Sequence, residues 1–149
     1  MDQEYSYEFE YDDYYCYKNK VLKNRLHIRD KQKLKDAERE ITILKAGLLV
    51  CNQLQGKFDM VHLLEIHRVL FEDVYVWAGE IRTVNIAKGH PFCLVPFIEP
   101  QLKAVFEELK DEKYLKGVKS KKELAKRLAY YISEINAIHP FREIGRAHV

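Results

Sequence analysis

Five consecutive residues near the end of the chain, His139-Pro140-Phe141-Arg142-Glu143, are of types from which a phosphate-chemistry site could be built. A histidine titrates near neutrality and can take a proton from a hydroxyl as that hydroxyl becomes a nucleophile. A carboxylate four residues on, past a turn, can hold a divalent cation against phosphate oxygens. Phe141 between them would turn inward and anchor the loop. Taken alone, His-Pro-Phe is a weak signal, because the tripeptide recurs as His90-Pro91-Phe92 with Cys93 and Leu94 where an acid would be needed. That second copy reads as coincidence, with Phe92 as its useful residue.

The elements that must position these residues are mostly helical. Asp30 is a good N-cap. Leu34, Ala37, Ile41, Leu44 and Leu48 then repeat at helical spacing, which predicts a helix from about Lys31 to Leu49 with that stripe inward. Gly56 breaks the pattern, and Asp59 caps a second helix running out near Asp73. On its apolar face lie Leu63, Leu64, His67, Leu70 and Phe71. His67 there reads as a core or boundary histidine rather than a ligand, and His62 as exposed. Thr83-Val84-Asn85-Ile86 and Phe92-Cys93-Leu94-Val95 flank Lys88-Gly89 and predict a short hairpin turning at Gly89.

Pro100 is placed at the first turn of a third helix, with Leu102, Val105, Phe106 and Leu109 inward and an end before Gly117. Ser120 and Glu123 form a capping box for a fourth, with Leu124, Leu128, Tyr131, Ile132 and Ile135 inward. Pro140 stops that helix and biases His139 away from helical backbone.

Composition bounds the rest. A chain of 149 residues suits one domain with a single core. A net charge of +2 is too small for a nucleic-acid footprint. The densest basic cluster, Lys119, Lys121, Lys122 and Lys126, reads as a solvated helix start. No apolar run approaches a bilayer span, so a cytoplasmic protein without membrane contact is expected. Cys16, Cys51 and Cys93 are odd in number and without a Cys-x-x-Cys pair, which argues against a disulfide framework or structural zinc. Residues 1 to 20 are rich in Tyr, Asp and Glu and predict a partly ordered arm with its rings along the surface.

The run Glu134-Ile135-Asn136-Ala137-Ile138-His139-Pro140-Phe141-Arg142-Glu143 resembles the signature of the Fic/Doc (Fido) family of AMP transferases. Phe71 to Gly89, containing Trp77-Ala78-Gly79-Glu80-Ile81-Arg82-Thr83, is similar to the segment leading into that family's flap hairpin. Val21-Leu22-Lys23-Asn24-Arg25-Leu26 resembles the N-terminal lead of its bacterial cell-filamentation branch. These three blocks stand in the family's order and span most of residues 20 to 143.

The resemblance implies a mainly α fold, a Fido helical core with a short β-hairpin flap over residues 21–143, preceded by the Tyr-rich arm over 1–20. It implies a protein adenylyltransferase that uses ATP and Mg²⁺. His139 would deprotonate a target hydroxyl, whose oxygen attacks the α-phosphate. Glu143 would hold Mg²⁺ against the phosphates. Ile86, Ala87, Lys88 and Gly89 would border the nucleotide and dock the target protein by strand addition. A small antitoxin-like inhibitory partner and a helix beyond the given sequence both stay open as regulators. Two other readings keep the fold: a catalytically degenerate binding module, or a Doc-like protein kinase.

The family continues with Gly-Asn-Gly-Arg, whereas this chain reads Ile144-Gly145-Arg146-Ala147-His148-Val149. That ending matches the translation of a common short-read sequencing adapter, so residues 144–149 are expected to be read-through. As written, the chain is expected to bind ATP poorly, expose apolar surface and be inactive.

Overall fold

A computed structural model describes residues 8–9 and 12–143. The expected read-through at 144–149 and Tyr5, Tyr7 and Tyr11 of the arm lie outside the described residues. In chain order the elements are β1 (Glu8–Phe9), α1 (Lys31–Cys51), α2 (Met60–Phe71), β2 (Ile86–Ala87), α3 (Val95–Asp111), a 3₁₀ turn (Lys113–Leu115) and α4 (Lys121–Ile138). Their contacts divide the described chain into two units, one of residues 8–9, 58–60 and 82–140, the other of residues 12–57, 61–81 and 141–143. No helix among the described residues is long and apolar enough to cross a membrane.

In the second unit, α1 begins where its cap predicts: the Asp30 carboxylate accepts from the Lys33 amide at 2.8 Å. Its inward face is not the predicted stripe. Leu34 is buried, but Leu44 and Leu48 are 72% and 58% exposed. Buried with Leu34 instead is Glu38, which accepts from the Tyr75 hydroxyl, and Lys45 reaches Asp73 at 3.0 Å. Glu38 therefore shares the buried face of α1 with Leu34, while Leu44 and Leu48 lie outside it. Phenylalanine in place of Tyr75 would leave a buried carboxylate short of a donor. An unfolding free energy lower by about 1–3 kcal/mol is expected, read from urea midpoints at unchanged m-value.

The arm also departs from expectation. Tyr15 is core rather than surface, packed edge-on against Trp77 at 4.8 Å. The amide of Asn24 ties down the stretch before α1, donating to Leu22 and Ile28 carbonyls at 2.9 and 2.7 Å. His62, expected in solvent, is half-buried, with Nε2 3.1 Å from the Leu54 carbonyl. Cys16 is buried, Cys51 exposed and Cys93 half-buried, and all three are free thiols.

In the first unit, α3 packs against α4. It starts at Val95, earlier than predicted, and Pro100 lies inside it. The reason is nonlocal: the Asn85 side chain accepts from the Val95 amide at 3.0 Å and so supplies the cap that Leu94 lacks. Pro96 then occupies the first turn, where a missing N–H does no harm. After α3, Lys113, Tyr114 and Leu115 all have positive φ, between 53 and 61°. For L-residues each such conformation costs about 1–2 kcal/mol. Ser120 caps α4, accepting from the Glu123 amide at 3.4 Å.

Arg127 of α4 binds Glu112 after α3 and holds that carboxyl below the usual carboxylate range. A depressed folded-state value contributes stability above the unfolded value that is lost as pH falls through the folded one. The denaturation midpoint should therefore drop between about pH 5 and pH 3, and Glu112→Gln should remove that component of the drop.

The predicted hairpin is reduced. β2 is a strand, but across Gly89 only an isolated Ala87–Pro91 bridge forms, and residues from Val95 onward are helical. The partner of β2 is β1, antiparallel, with Glu8 opposite Ala87 and Phe9 opposite Ile86.

Candidate functional site

α4 ends on His139, which adopts left-handed backbone at φ 51° and ψ 66° while its amide donates to Ile135 at 3.0 Å. Pro140 forbids another helical turn, and the positive φ sends the histidine off the helix axis. The ring is half-buried and lies flat on Phe92, with centroids 4.3 Å apart and planes 14° from parallel. Phe92 belongs to the second His-Pro-Phe copy, and its amide donates to the Ile86 carbonyl of β2 at 3.1 Å. Ile86 and Ala87 form β2, the Lys88 amide closes on His90 at 3.0 Å, and Gly89 turns with φ +74°. The flap residues and His139 are thus connected through one aromatic ring.

Arg82 also reaches His139, and sequence reasoning missed it. It is 1% exposed. Its Nε donates to the His139 carbonyl and Nη1 to Val84, both at 2.7 Å. Nη2 donates to Cys93 at 2.6 Å and Ile138 at 3.3 Å. Its own amide donates to Pro140 at 2.9 Å. The last carbonyls of a helix have no partner within the helix, and a cation there suits the helix dipole. An arginine before a β-branched run looks like surface charge, and its acceptors are too far along the chain to suggest otherwise.

Glu143 lies in the other unit, 2% exposed, with its carboxylate 2.7 Å from Nε2 of His67. The Gly79 amide donates to Nδ1 at 2.9 Å, so Nε2 carries the ring proton and donates to Glu143. Phe141 turns inward as expected and stacks on His67 at 3.7 Å, with Phe71 stacked on it as well at 4.5 Å. His67 is therefore a satisfied core histidine. Gly79 has φ +80°, and a Cβ there would come 2.7 Å from that of Arg68, so glycine is required. Arg142, also buried, lies 3.8 Å from Asp12 and from the Cys16 sulfur, and its carbonyl accepts from the Trp77 indole at 2.7 Å. Burial raises the Cys16 thiol above its usual range.

The predicted metal ligand is thus engaged by a core histidine. Among the described residues no group of three or more His, Cys, Asp or Glu could hold a metal ion. In this structure one oxygen of the Glu143 carboxylate is already taken by His67.

Comparison with known proteins agrees with the architecture. The Fic/DOC family profile matches residues 57–144. "Probable protein adenylyltransferase Fic" of Escherichia coli K12 is 41% identical over 123 residues, covering 82% of this chain and 60% of the relative. Protein adenylyltransferase VbhT of Bartonella schoenbuchensis is 36% identical over 138 residues, covering 92% of this chain and 29% of the relative. The chain therefore spans about 60% of the first of these relatives and less of the second. The N-terminal Fic domain of a VirB-translocated Bep effector from Bartonella quintana, with bound ADP, superposes with a TM-score of 0.80 at 30% identity, covering 91% of this chain and 70% of that one. BepC from Bartonella tribocorum, with bound AMPPNP, gives 0.78 at 29% identity, covering 87% and 69%. The helices, the small strand flap and the matched residues agree: this chain belongs to the Fic/DOC family.

Proposed function

We propose that the protein is an adenylyltransferase that moves AMP from ATP to a hydroxyl side chain of another protein, with His139 as general base. The observation that carries this is the setting of His139, taken off the helix axis with its ring braced by Phe92 and its carbonyl held by Arg82. A base held in this way is ordered before any hydroxyl arrives. In the proposed step the imidazole takes the hydroxyl proton as the oxygen forms a bond to the α-phosphorus. The bond from that phosphorus to the bridging oxygen breaks, and pyrophosphate leaves. Relatives named as adenylyltransferases and similar Fic domains holding ADP or AMPPNP support the choice of nucleotide.

Residues Ile86 to Gly89 are proposed to border the nucleotide and to dock the target backbone by strand addition. A second reading, a Fic domain that binds a partner without catalysis, is favoured by the engagement of Glu143 with His67. Labelled ATP separates these readings when supplied to the full-length gene product with candidate target protein. Retention of label only from the α-phosphate supports adenylylation. Retention only from the γ-phosphate indicates a kinase, and retention from neither indicates a binding module. Resequencing the gene past codon 142 tests whether residues 144–149 belong to it.

A further inference from the structure

We propose that Arg82 is the positioning residue for His139, setting the direction of its imidazole without contacting substrate. This rests on the reading of His139 as the base. The loop that leaves α4 has left-handed backbone at a non-glycine residue, a conformation that bonds from elsewhere in the fold help to hold. The Arg82 guanidinium donates to the carbonyls of Ile138 and His139, and its backbone amide to that of Pro140, so one residue holds three successive carbonyls, two of them through its side chain. The remaining guanidinium bonds go to Val84 and Cys93, which flank β2 and Phe92. Phe92 is the ring on which His139 lies. A single buried fork thus ties the base's backbone to the two ends of the segment that braces its ring.

Only arginine has this geometry: five donors in a rigid plane that reach several carbonyls at once, where lysine offers a point charge on a flexible stem. Misdirecting a base by about 1 Å can lower turnover about 10²-fold. A residue acting through orientation should change turnover and leave nucleotide affinity alone.

The test has two parts. In the 149-residue chain, ¹H–¹³C spectra of the histidine rings report the Phe92 ring current at His139. Arg82→Gln should move the His139 resonances toward solvent values while those of His67 stay. In the full-length gene product, Arg82→Gln should lower kcat about 10²-fold with KM for ATP within about twofold, and Arg82→Lys should recover part of the loss. Should Arg82→Gln fail to fold, Arg82→Lys is read by the same two measurements. A folded variant with unshifted His139 resonances and normal kcat overturns the proposal. So does a loss seen in KM alone. Failure of the underlying reading shows differently: His139→Ala would then transfer AMP normally, whatever Arg82 does to the spectrum.

Discussion

Asparagine or alanine at position 139 is expected to lower AMP transfer by the full-length protein by about 10²–10⁴-fold, the range that a positioned general base supplies. Asparagine is the sharper of the two. It tolerates left-handed backbone well, so the φ of 51° at this position should persist. It is polar and planar, and can still lie against Phe92. What it cannot do is accept a proton near neutral pH. Loss of turnover in His139→Asn with unchanged circular dichroism and melting therefore isolates proton transfer from architecture. Alanine removes the ring as well and should add a small stability decrease from the lost Phe92 contact. Wild-type modification of the target by either variant would remove His139 from the chemistry.

Alanine in place of Trp77 is expected to destabilise the chain by about 3–5 kcal/mol, the usual range for emptying a buried aromatic site. Trp77 is 2% exposed, stacked on Tyr75 at 5.0 Å and met edge-on by Tyr15 at 4.8 Å. Its indole also donates to the Arg142 carbonyl at 2.7 Å. The variant would lose packing and leave a buried carbonyl without that donor. Domains have only about 5–15 kcal/mol to lose, so much of the population should unfold on mild heating. Trp77→Phe separates the two contributions. It keeps most of the ring packing and should lose about 1–3 kcal/mol, mainly from the missing donor. Urea midpoints at constant m-value measure both, and equal losses in the two variants would mean that the hydrogen bond outweighs the packing.

Two helix caps and one helix stop are legible from neighbouring residues alone. Asp30 and Ser120 cap the helices that follow them, because a cap is a bond between residues three apart and needs nothing distant. Pro140 ends α4 for an equally local reason, and Phe141 turns inward as an apolar residue after a turn should. What the residue pattern concealed depends on partners far along the chain. The leucines at 44 and 48 form a proper helical stripe, yet they are exposed, while Glu38 is buried against a hydroxyl donor, Tyr75, thirty-seven positions on. Asn85 moves the start of α3 ahead of Pro100 by capping it from another segment. The candidate site divides in the same way. His139 was legible from its neighbours, whereas Arg82 and the link between His67 and Glu143 join residues more than fifty positions apart.

The pairing of β1 with β2 has a bearing on how any target could engage the flap. Ala87 already faces Glu8 on one flank and Pro91 on the other, so a strand from another molecule finds both sides taken. The rival at the first flank is part of the same polypeptide. Its presence does not fall on dilution, because both strands belong to one chain. Under the proposed docking, a target strand would add to the flap only once one of these neighbours had left, and its net strength would be the difference between two sets of backbone hydrogen bonds.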